Sequence, residues 1–133
     1  MFRSDEQACK AFQAVLRTLH LEHLWTPEGP SPAALRYREY DGGLLSSGER
    51  IMLLAVFDLW DGSGNLEFRE LIDSLDETRT YVLLSLVAAI TRGGEAVDQW
   101  LQMHQPLPKK RPARNVVPIN VAARKEKGKR WTQ

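Results

Sequence analysis

The feature that most constrains the fold is an almost uninterrupted apolar segment near the middle of the sequence. Residues 51–59 contain a single charged side chain, Asp58. Ser46 and Glu49, three residues apart just before this segment, form the sequence pattern of a helix capping box. We therefore predict a helix over about 47–60. Because this helix has almost no polar face, we expect it to lie at the centre of its domain.

Helical spacing of apolar residues continues on both sides of the predicted central helix. Ser4, followed by Gln7, predicts the start of a first helix that ends near residues 20–23. Ser31, followed by proline, predicts the start of a short second helix. Further helices are predicted at about 66–74, 77–91 and 95–103. Since no stretch of the body alternates with the period of two that is typical of strands, the sequence predicts an all-α bundle of about five to six helices.

The two short helices near the end of the body each predict a buried face. For the helix at about 66–74, the apolar residues expected on the inner side are Leu66, Phe68, Leu71, Ile72 and Leu75. For the helix at about 95–103, they are Val97, Trp100 and Leu101.

The charges divide the chain into two parts of opposite sign. Residues 1–104 carry 9 basic and 16 acidic side chains, whereas residues 105–133 carry 9 basic side chains and one acidic side chain. The second part is rich in proline, so we expect a helical domain over 1–104 followed by a disordered basic tail over 105–133. The tail has one apolar island at 116–121, which either lies extended on a partner or on the protein's own surface, or is an apolar patch in a disordered tail.

The composition also bears on location. The chain has one cysteine, Cys9, which excludes an internal disulfide and favours a reducing, cytoplasmic location. No apolar run approaches the roughly 18 residues that a membrane-spanning helix needs, so we expect no membrane association. The first residues lack the apolar stretch of a signal peptide.

The apolar spacing at 66–90 resembles a helix-turn-helix, with the helix at about 47–60 as the supporting helix. In that family, residues at the N-terminus of the second helix of the pair contact bases in the major groove. On this sequence, the resemblance implies that Thr78, Arg79 and Thr80 contact DNA. The sequence departs from the family's pattern at Asp76 and Glu77, whose charges would repel phosphates, and the alternative is an ordinary three-helix packing.

A second resemblance is to the calcium loop of an EF-hand, over residues 59–70. Gly64 would be the glycine of the sharp turn, and oxygen-bearing side chains follow at alternate positions. Those residues are Asp61, Ser63, Asn65, Glu67 and Glu70. The first position, normally Asp, is Leu59, and Asp58 is one residue too early and is expected to point elsewhere. The alternative is a glycine-rich link between two helices, and we predict no metal ligands.

The basic tail contains two clusters of cations that predict contacts with nucleic-acid phosphates. The residues concerned are Lys109, Lys110, Arg111 and Arg114 in the first cluster, and Arg124, Lys125, Lys127, Lys129 and Arg130 in the second. Trp131 follows the second cluster, where an aromatic ring can stack on an unpaired base. The alternatives are a solubilising tail, or a tail folded back on the protein's own acidic surface.

No pattern in the sequence indicates catalysis or a cofactor. There is no phosphate-binding glycine loop and no nucleophile motif. His20 and His23 are spaced to share a helix face, but no third metal ligand is placed beside them by the sequence. Cys9 is expected to be packed rather than nucleophilic.

We therefore expect a small, non-catalytic, cytoplasmic regulatory protein that associates with DNA through the helix-turn-helix-like unit and the basic tail. One alternative is a protein-binding inhibitor or adaptor, whose acidic helical core imitates nucleic acid toward a basic partner. Trp25, Trp60 and Trp100 are aromatic candidates for such an interface, although a core position suits each of them better. A third alternative is a calcium-responsive module.

Overall fold

Six α-helices make up most of the structure, a computed structural model that describes residues 1–40, 42–104, 125–126 and 128–132. In chain order, the helices are α1 (Asp5–Arg17), α2 (Pro32–Glu39), α3 (Ser47–Asp61), α4 (Phe68–Ser74), α5 (Glu77–Arg92) and α6 (Gly94–Met103). The prediction of a small all-α bundle is confirmed. The division at residue 104 stays a prediction. The disorder predicted for 105–133 also stays a prediction, because the structure describes only the backbone of two short segments in that range.

Short extended pieces, which the sequence did not predict, complete the described chain. A single 3-10 turn at Glu22–Leu24 leads into β1 (Trp25–Thr26), which pairs antiparallel with β2 (Gly29–Pro30). Near the end of the chain, β3 (Lys125–Glu126) pairs in parallel with β4 (Gly128–Thr132), and only the backbone of these two strands is described.

Helix α3 occupies the centre of the domain, as predicted. The Ser46 hydroxyl accepts a hydrogen bond from the Glu49 backbone N–H at 3.2 Å, and the Glu49 carboxylate accepts one from the Ser46 N–H at 2.8 Å. Residues 51–57 are all buried, and α1, α2 and α4 pack around the helix. The capping box therefore starts the helix, and burial on every side stabilises it.

Three other helices begin at the predicted caps. The side-chain oxygens of Ser4, Ser31 and Asp76 accept hydrogen bonds from the backbone N–H groups of Gln7, Ala34 and Arg79. Each cap satisfies a backbone donor that has no partner within its own helix, which is typically worth about 1 kcal/mol.

The core is built around a cluster of aromatic rings that joins α1, β1 and α3. Trp25 is 1% exposed and lies edge-on to Phe12 and Phe57, with ring centroids 5.2 Å apart in both pairs. The ring of Trp60 is 5.7 Å from that of Trp25. The Trp25 indole N–H donates to the Cys9 sulfur at 3.4 Å. Trp25 and Cys9 thus belong to the core rather than to an exposed site.

Helices α5 and α6 form the other side of the domain. Helix α5 packs mainly against α6, and both contact α1. The Trp100 indole N–H of α6 donates to the Ser85 hydroxyl of α5 at 2.8 Å. Val97 and Trp100 are buried as predicted, whereas Leu101 is only half-buried.

Candidate interaction surface

The outward side of α4 carries two large apolar side chains. Phe68 is 69% exposed and Ile72 is 59% exposed, although the sequence predicted both on the inner side. Leu71 takes the inward position, being 6% exposed, with Leu66 and Leu75 half-buried on either side. Phe68, Leu71 and Ile72 are spaced to form one apolar stripe on this short helix. Only the edge of the stripe that carries Leu71 is buried, so Phe68 and Ile72 face water. We call Phe68 and Ile72 the α4 face.

The loop between α3 and α4 is fixed by the Asp58 carboxylate. Its Oδ1 accepts hydrogen bonds from the N–H groups of Gly64 and Asn65, at 2.8 and 3.1 Å, and its Oδ2 accepts one from the N–H of Leu66 at 3.1 Å. The expectation that Asp58 points away from the loop is therefore wrong. Because three backbone donors share this carboxylate, the start of α4 has a defined position relative to α3.

Two further features hold the same loop. A Cβ atom on Gly64 would collide with the backbone carbonyl of Leu54, so only glycine fits there. The Arg38 guanidinium of α2 donates to the Ser63 hydroxyl at 3.1 Å, and the Asp61 carboxylate accepts from the Ser63 N–H at 3.0 Å.

The same contacts engage carboxylates in and next to the EF-hand-like loop. The Asp58 carboxylate binds backbone N–H groups, and Asp61 makes a turn within the loop. Within the part of the chain that the structure describes, no group of three or more His, Cys, Asp or Glu side chains is placed to hold a metal ion. In this structure the loop forms a tight connection between two helices, and a response to calcium stays an untested alternative.

The residues expected to contact DNA lie at the first turn of α5, but their surroundings differ among the three. Thr78 is exposed, whereas Thr80 is half-buried. The Arg79 guanidinium forms an ion pair with Asp76, the residue that caps the helix. The backbone N–H and guanidinium of Arg79 hold the pKa of Asp76 below its usual range. Arg79 is thus engaged with an acidic group of its own helix.

The helices of the helix-turn-helix-like unit are present, and their main packing partners differ from those of the expected unit. Helix α4 packs on α3, whereas α5 packs mainly on α6 and α1. The turn at residues 75–76 therefore connects two helices that have different principal neighbours.

The outward side of α5 is free of charge over three turns. Residues 80–91 contain no Asp, Glu, Lys or Arg. Tyr81 is 61% exposed and Leu84 is 46% exposed, and Ala88 and Thr91 are exposed on the same side. We call Tyr81, Leu84, Ala88 and Thr91 the α5 face.

A polar groove of about 590 Å³ lies between α1 and α6. Arg3 forms an ion pair with Asp98 at 2.6 Å, and the Gln7 side-chain amide donates to Asp98 at 2.9 Å and to the Gly94 carbonyl at 2.7 Å. The Arg3 guanidinium and the Gln7 amide lower the pKa of Asp98 from its ordinary value. These contacts join the two helices, so the groove's polar side chains serve the packing of the bundle.

The two histidines considered as metal ligands do not share a helix face, because α1 ends at Arg17. His20 has a left-handed backbone with φ of 59°, and His23 lies in the 3-10 turn. Burial raises the pKa of the Cys9 thiol. A thiol with a raised pKa is a poor nucleophile, in keeping with a packed residue.

Most of the basic residues expected to bind phosphates lie outside the described residues. These are Lys109, Lys110, Arg111, Arg114, Arg124 and Lys127. Lys125 lies in β3, and Lys129 and Arg130 lie in β4, where the backbone alone is described. Their contact with nucleic acid stays a prediction.

Comparison with known proteins gives this chain no relative: no family model matches it, and no curated protein or solved structure is significantly similar to it. Among the described residues, none of the helices has the length and apolar character to cross a membrane.

Proposed function

We propose that the protein is a non-catalytic binding protein whose α4 face docks on a partner protein. The observation that carries this proposal is the exposure of Phe68, at 69%, and of Ile72, at 59%, one turn apart on the same side of one helix. An aromatic and a branched aliphatic residue at this spacing are typical anchors for an apolar groove on a partner.

Burial of these two residues supplies part of the free energy of binding. Full burial of a Phe or Ile side chain contributes about 1.5–3 kcal/mol each relative to leaving it exposed. Interfaces commonly depend on a few such anchors surrounded by contacts of little energetic weight.

The charges around the α4 face indicate the chemistry of the partner. Residues 67–77 contain five carboxylates and one guanidinium, Arg69, which pairs with Asp73 at 3.6 Å. Glu67 and Glu70 flank Phe68 and have no ion pair within the described residues. The complementary surface is an apolar pocket bordered by Lys and Arg side chains, as on a protein that itself binds nucleic acid.

The loop before α4 makes this face well suited to binding. Asp58 and the tight packing at Gly64 fix the start of the helix, so little conformational freedom is lost when a partner binds. Preorganisation of this kind increases affinity by lowering the entropy cost of association.

The test is capture of the partner from nuclease-treated lysate of the source organism by the full chain, Phe68→Ser/Ile72→Ser and a matched control. The control is Leu35→Ser/Tyr40→Ser, which changes two exposed apolar residues at and beside α2, 40% and 79% exposed. The proposal predicts a stoichiometric protein with a basic surface that the full chain and the control retain and the α4 variant loses.

Two results would overturn this proposal. One is equal retention of every captured protein by the wild type and the α4 variant. The other is recovery of nucleic acid alone before nuclease treatment and of no protein after it.

A second candidate function is contact with nucleic acid through the basic clusters of 105–133, and the separation of charge along the chain favours it. Nine cations against one carboxylate in this segment release counterions from phosphates without reading sequence. Reading of bases by Thr78, Arg79 and Thr80 is a further step, and for Arg79 it requires release from Asp76.

Titration of fluorescent duplex and single-stranded DNA at low and moderate salt tests this second function. Neutralising Arg124, Lys125 and Lys127 to Gln is expected to weaken binding to every sequence alike and to reduce its salt dependence. If Arg79→Ala weakens one sequence selectively, bases are read at α5. Equal binding by the neutralised variant and the wild type would remove the basic clusters from consideration.

A further inference from the structure

The α5 face has the composition of a covered surface. A helix that borders water normally carries charged residues on its outer side, as α1 does with Glu6 and Lys10. Helix α5 has Tyr81 and Leu84 there instead, and no charge between residues 80 and 91. An uncharged outer side with two large exposed side chains is the composition expected of a site of contact.

His104, the last residue described before residue 125, is connected through α6 to the helix that carries this face. His104, just after α6, stacks on Trp100 with ring centroids 4.2 Å apart and an angle of 22° between the rings. Trp100 in turn donates to Ser85 at 2.8 Å, and Ser85 lies next to Leu84 and one turn from Tyr81. The residues that follow His104 therefore start within reach of the α5 face.

We propose that residues 116–121 of the same chain cover the α5 face. This inference goes beyond the partner site on α4, because it concerns a different helix and a contact within the molecule. The sequence of the segment is Val-Val-Pro-Ile-Asn-Val. In an extended conformation, Val117, Ile119 and Val121 share one side, so the segment can place three apolar side chains on the helix.

The length of chain between the two surfaces permits this contact. The twelve steps from His104 to Val116 span at most about 40 Å when extended. Helix α5, with its 16 residues, is about 24 Å long, so every position on its outer face is within reach. A tether this short gives an effective concentration in the millimolar range, so a weak contact suffices for occupancy.

The charges favour the same arrangement. Basic clusters lie on both sides of residues 116–121, at 109–114 and 124–130. Two carboxylates lie at the N-terminal end of α5: Glu77 in its first turn, and Asp76, which caps the helix and pairs with Arg79. Attraction between the two sets of charges brings the apolar segment to the helix and selects its position.

A second copy of the domain is a less suitable occupant. Residues 1–104 carry seven more acidic than basic side chains, so two domains that meet face to face repel each other. The basic segment of the same chain faces no such repulsion.

The experiment is NMR on the full chain, with the isolated peptide 105–133 as the reference for an undocked segment. The proposal predicts nuclear Overhauser effects from the Tyr81 ring protons to methyl groups of Val117, Ile119 or Val121. In Leu84→Gln, these effects weaken at least twofold, and the methyl shifts move toward those of the peptide. In the control Leu35→Gln, on α2 and 40% exposed, both remain as in the wild type.

Three outcomes would overturn the proposal. The first is a full chain in which the methyl shifts of 116–121 equal those of the peptide and no effect from Tyr81 is seen. The second is an equal loss in Leu84→Gln and Leu35→Gln. The third, from a sample mixing labelled and unlabelled chains, is effects that arise only between copies, which would assign the α5 face to a second molecule.

Discussion

At the scale of single residues, Asp58 is the side chain that most clearly connects sequence, fold and surface. It is the single charged residue in an apolar segment, and it is held at the end of α3 with its carboxylate turned to the following loop. The sequence placed it one position too early for a calcium loop. The actual partners of its carboxylate are three backbone N–H groups. Because every residue except proline has a backbone N–H, these partners produce no sequence motif for the interaction.

Replacing Asp58 tests this role directly. We expect Asp58→Ala to lower the free energy of unfolding by about 2–4 kcal/mol, because three backbone donors lose a charged acceptor. Asp61→Ala is the matched control, since Asp61 accepts a hydrogen bond from the Ser63 N–H alone. Urea unfolding of both variants measures the difference, and equal stability of the two would show that the Asp58 contacts do not hold the loop.

At the scale of helices, the sequence predicted existence and position well. Caps at Ser4, Ser31, Ser46 and Asp76 gave the starts of four helices, because a cap is a local interaction between residues three apart. The buried side of α4 was harder to predict. Its apolar residues form one stripe, and packing against α3 decides how much of that stripe faces inward.

Adjacent residues of α4 allow a test of that orientation. Leu71 is 6% exposed and Ile72 is 59% exposed. We expect Leu71→Ala to cost about 2–4 kcal/mol of unfolding free energy, through lost burial and a cavity. Ile72→Ala is expected to change it by less than about 1 kcal/mol, since the side chain already faces water. Chemical denaturation compares the two, and a larger effect at Ile72 would contradict the assigned orientation.

The contact between α1 and α6 predicts a dependence of stability on pH. Arg3 and Gln7 lower the pKa of Asp98, so the folded state favours its charged form. The stabilisation is fully present above the ordinary Asp pKa of about 3.9 and is lost as the pH falls through the lower pKa of the folded state.

Thermal melting of the wild type and Asp98→Asn checks this pH dependence. At about pH 6, the wild type is expected to melt at the higher temperature, and the difference is expected to shrink as the pH falls below the ordinary Asp pKa of about 3.9 and Asp98 takes up a proton. A difference in Tm that stays constant over this range would show that the charge of Asp98 does not contribute to the link.

At the scale of the whole molecule, composition predicted the separation of charge but not the positions of the exposed apolar residues. The sequence pointed to α5 as a surface for DNA through Thr78, Arg79 and Thr80. The structure pairs Arg79 with the helix cap and leaves apolar groups exposed further along the helix. The exposed apolar side of a helix depends on which helices pack against it. The local spacing of apolar residues does not determine that packing.

The two proposals give the exposed helices separate roles: α4 binds a basic partner, and α5 receives residues 116–121 of the same chain. The two contacts use different apolar side chains, although both draw on carboxylates within residues 67–77. Together the two proposals describe a small binding protein with two uncharged or apolar faces. The α4 face is open to a partner, and the α5 face is covered by residues 116–121 of the same chain.

The affinity of the captured partner for the full chain and for the α4 variant measures whether Phe68 and Ile72 anchor the interaction. Calorimetry of the purified partner with the full chain is expected to give a Kd at least about tenfold lower than with Phe68→Ser/Ile72→Ser, a difference of about 1.4 kcal/mol or more. The Leu35→Ser/Tyr40→Ser control is expected to stay within about twofold of the wild type. Equal affinity of the wild type and the α4 variant would contradict the account.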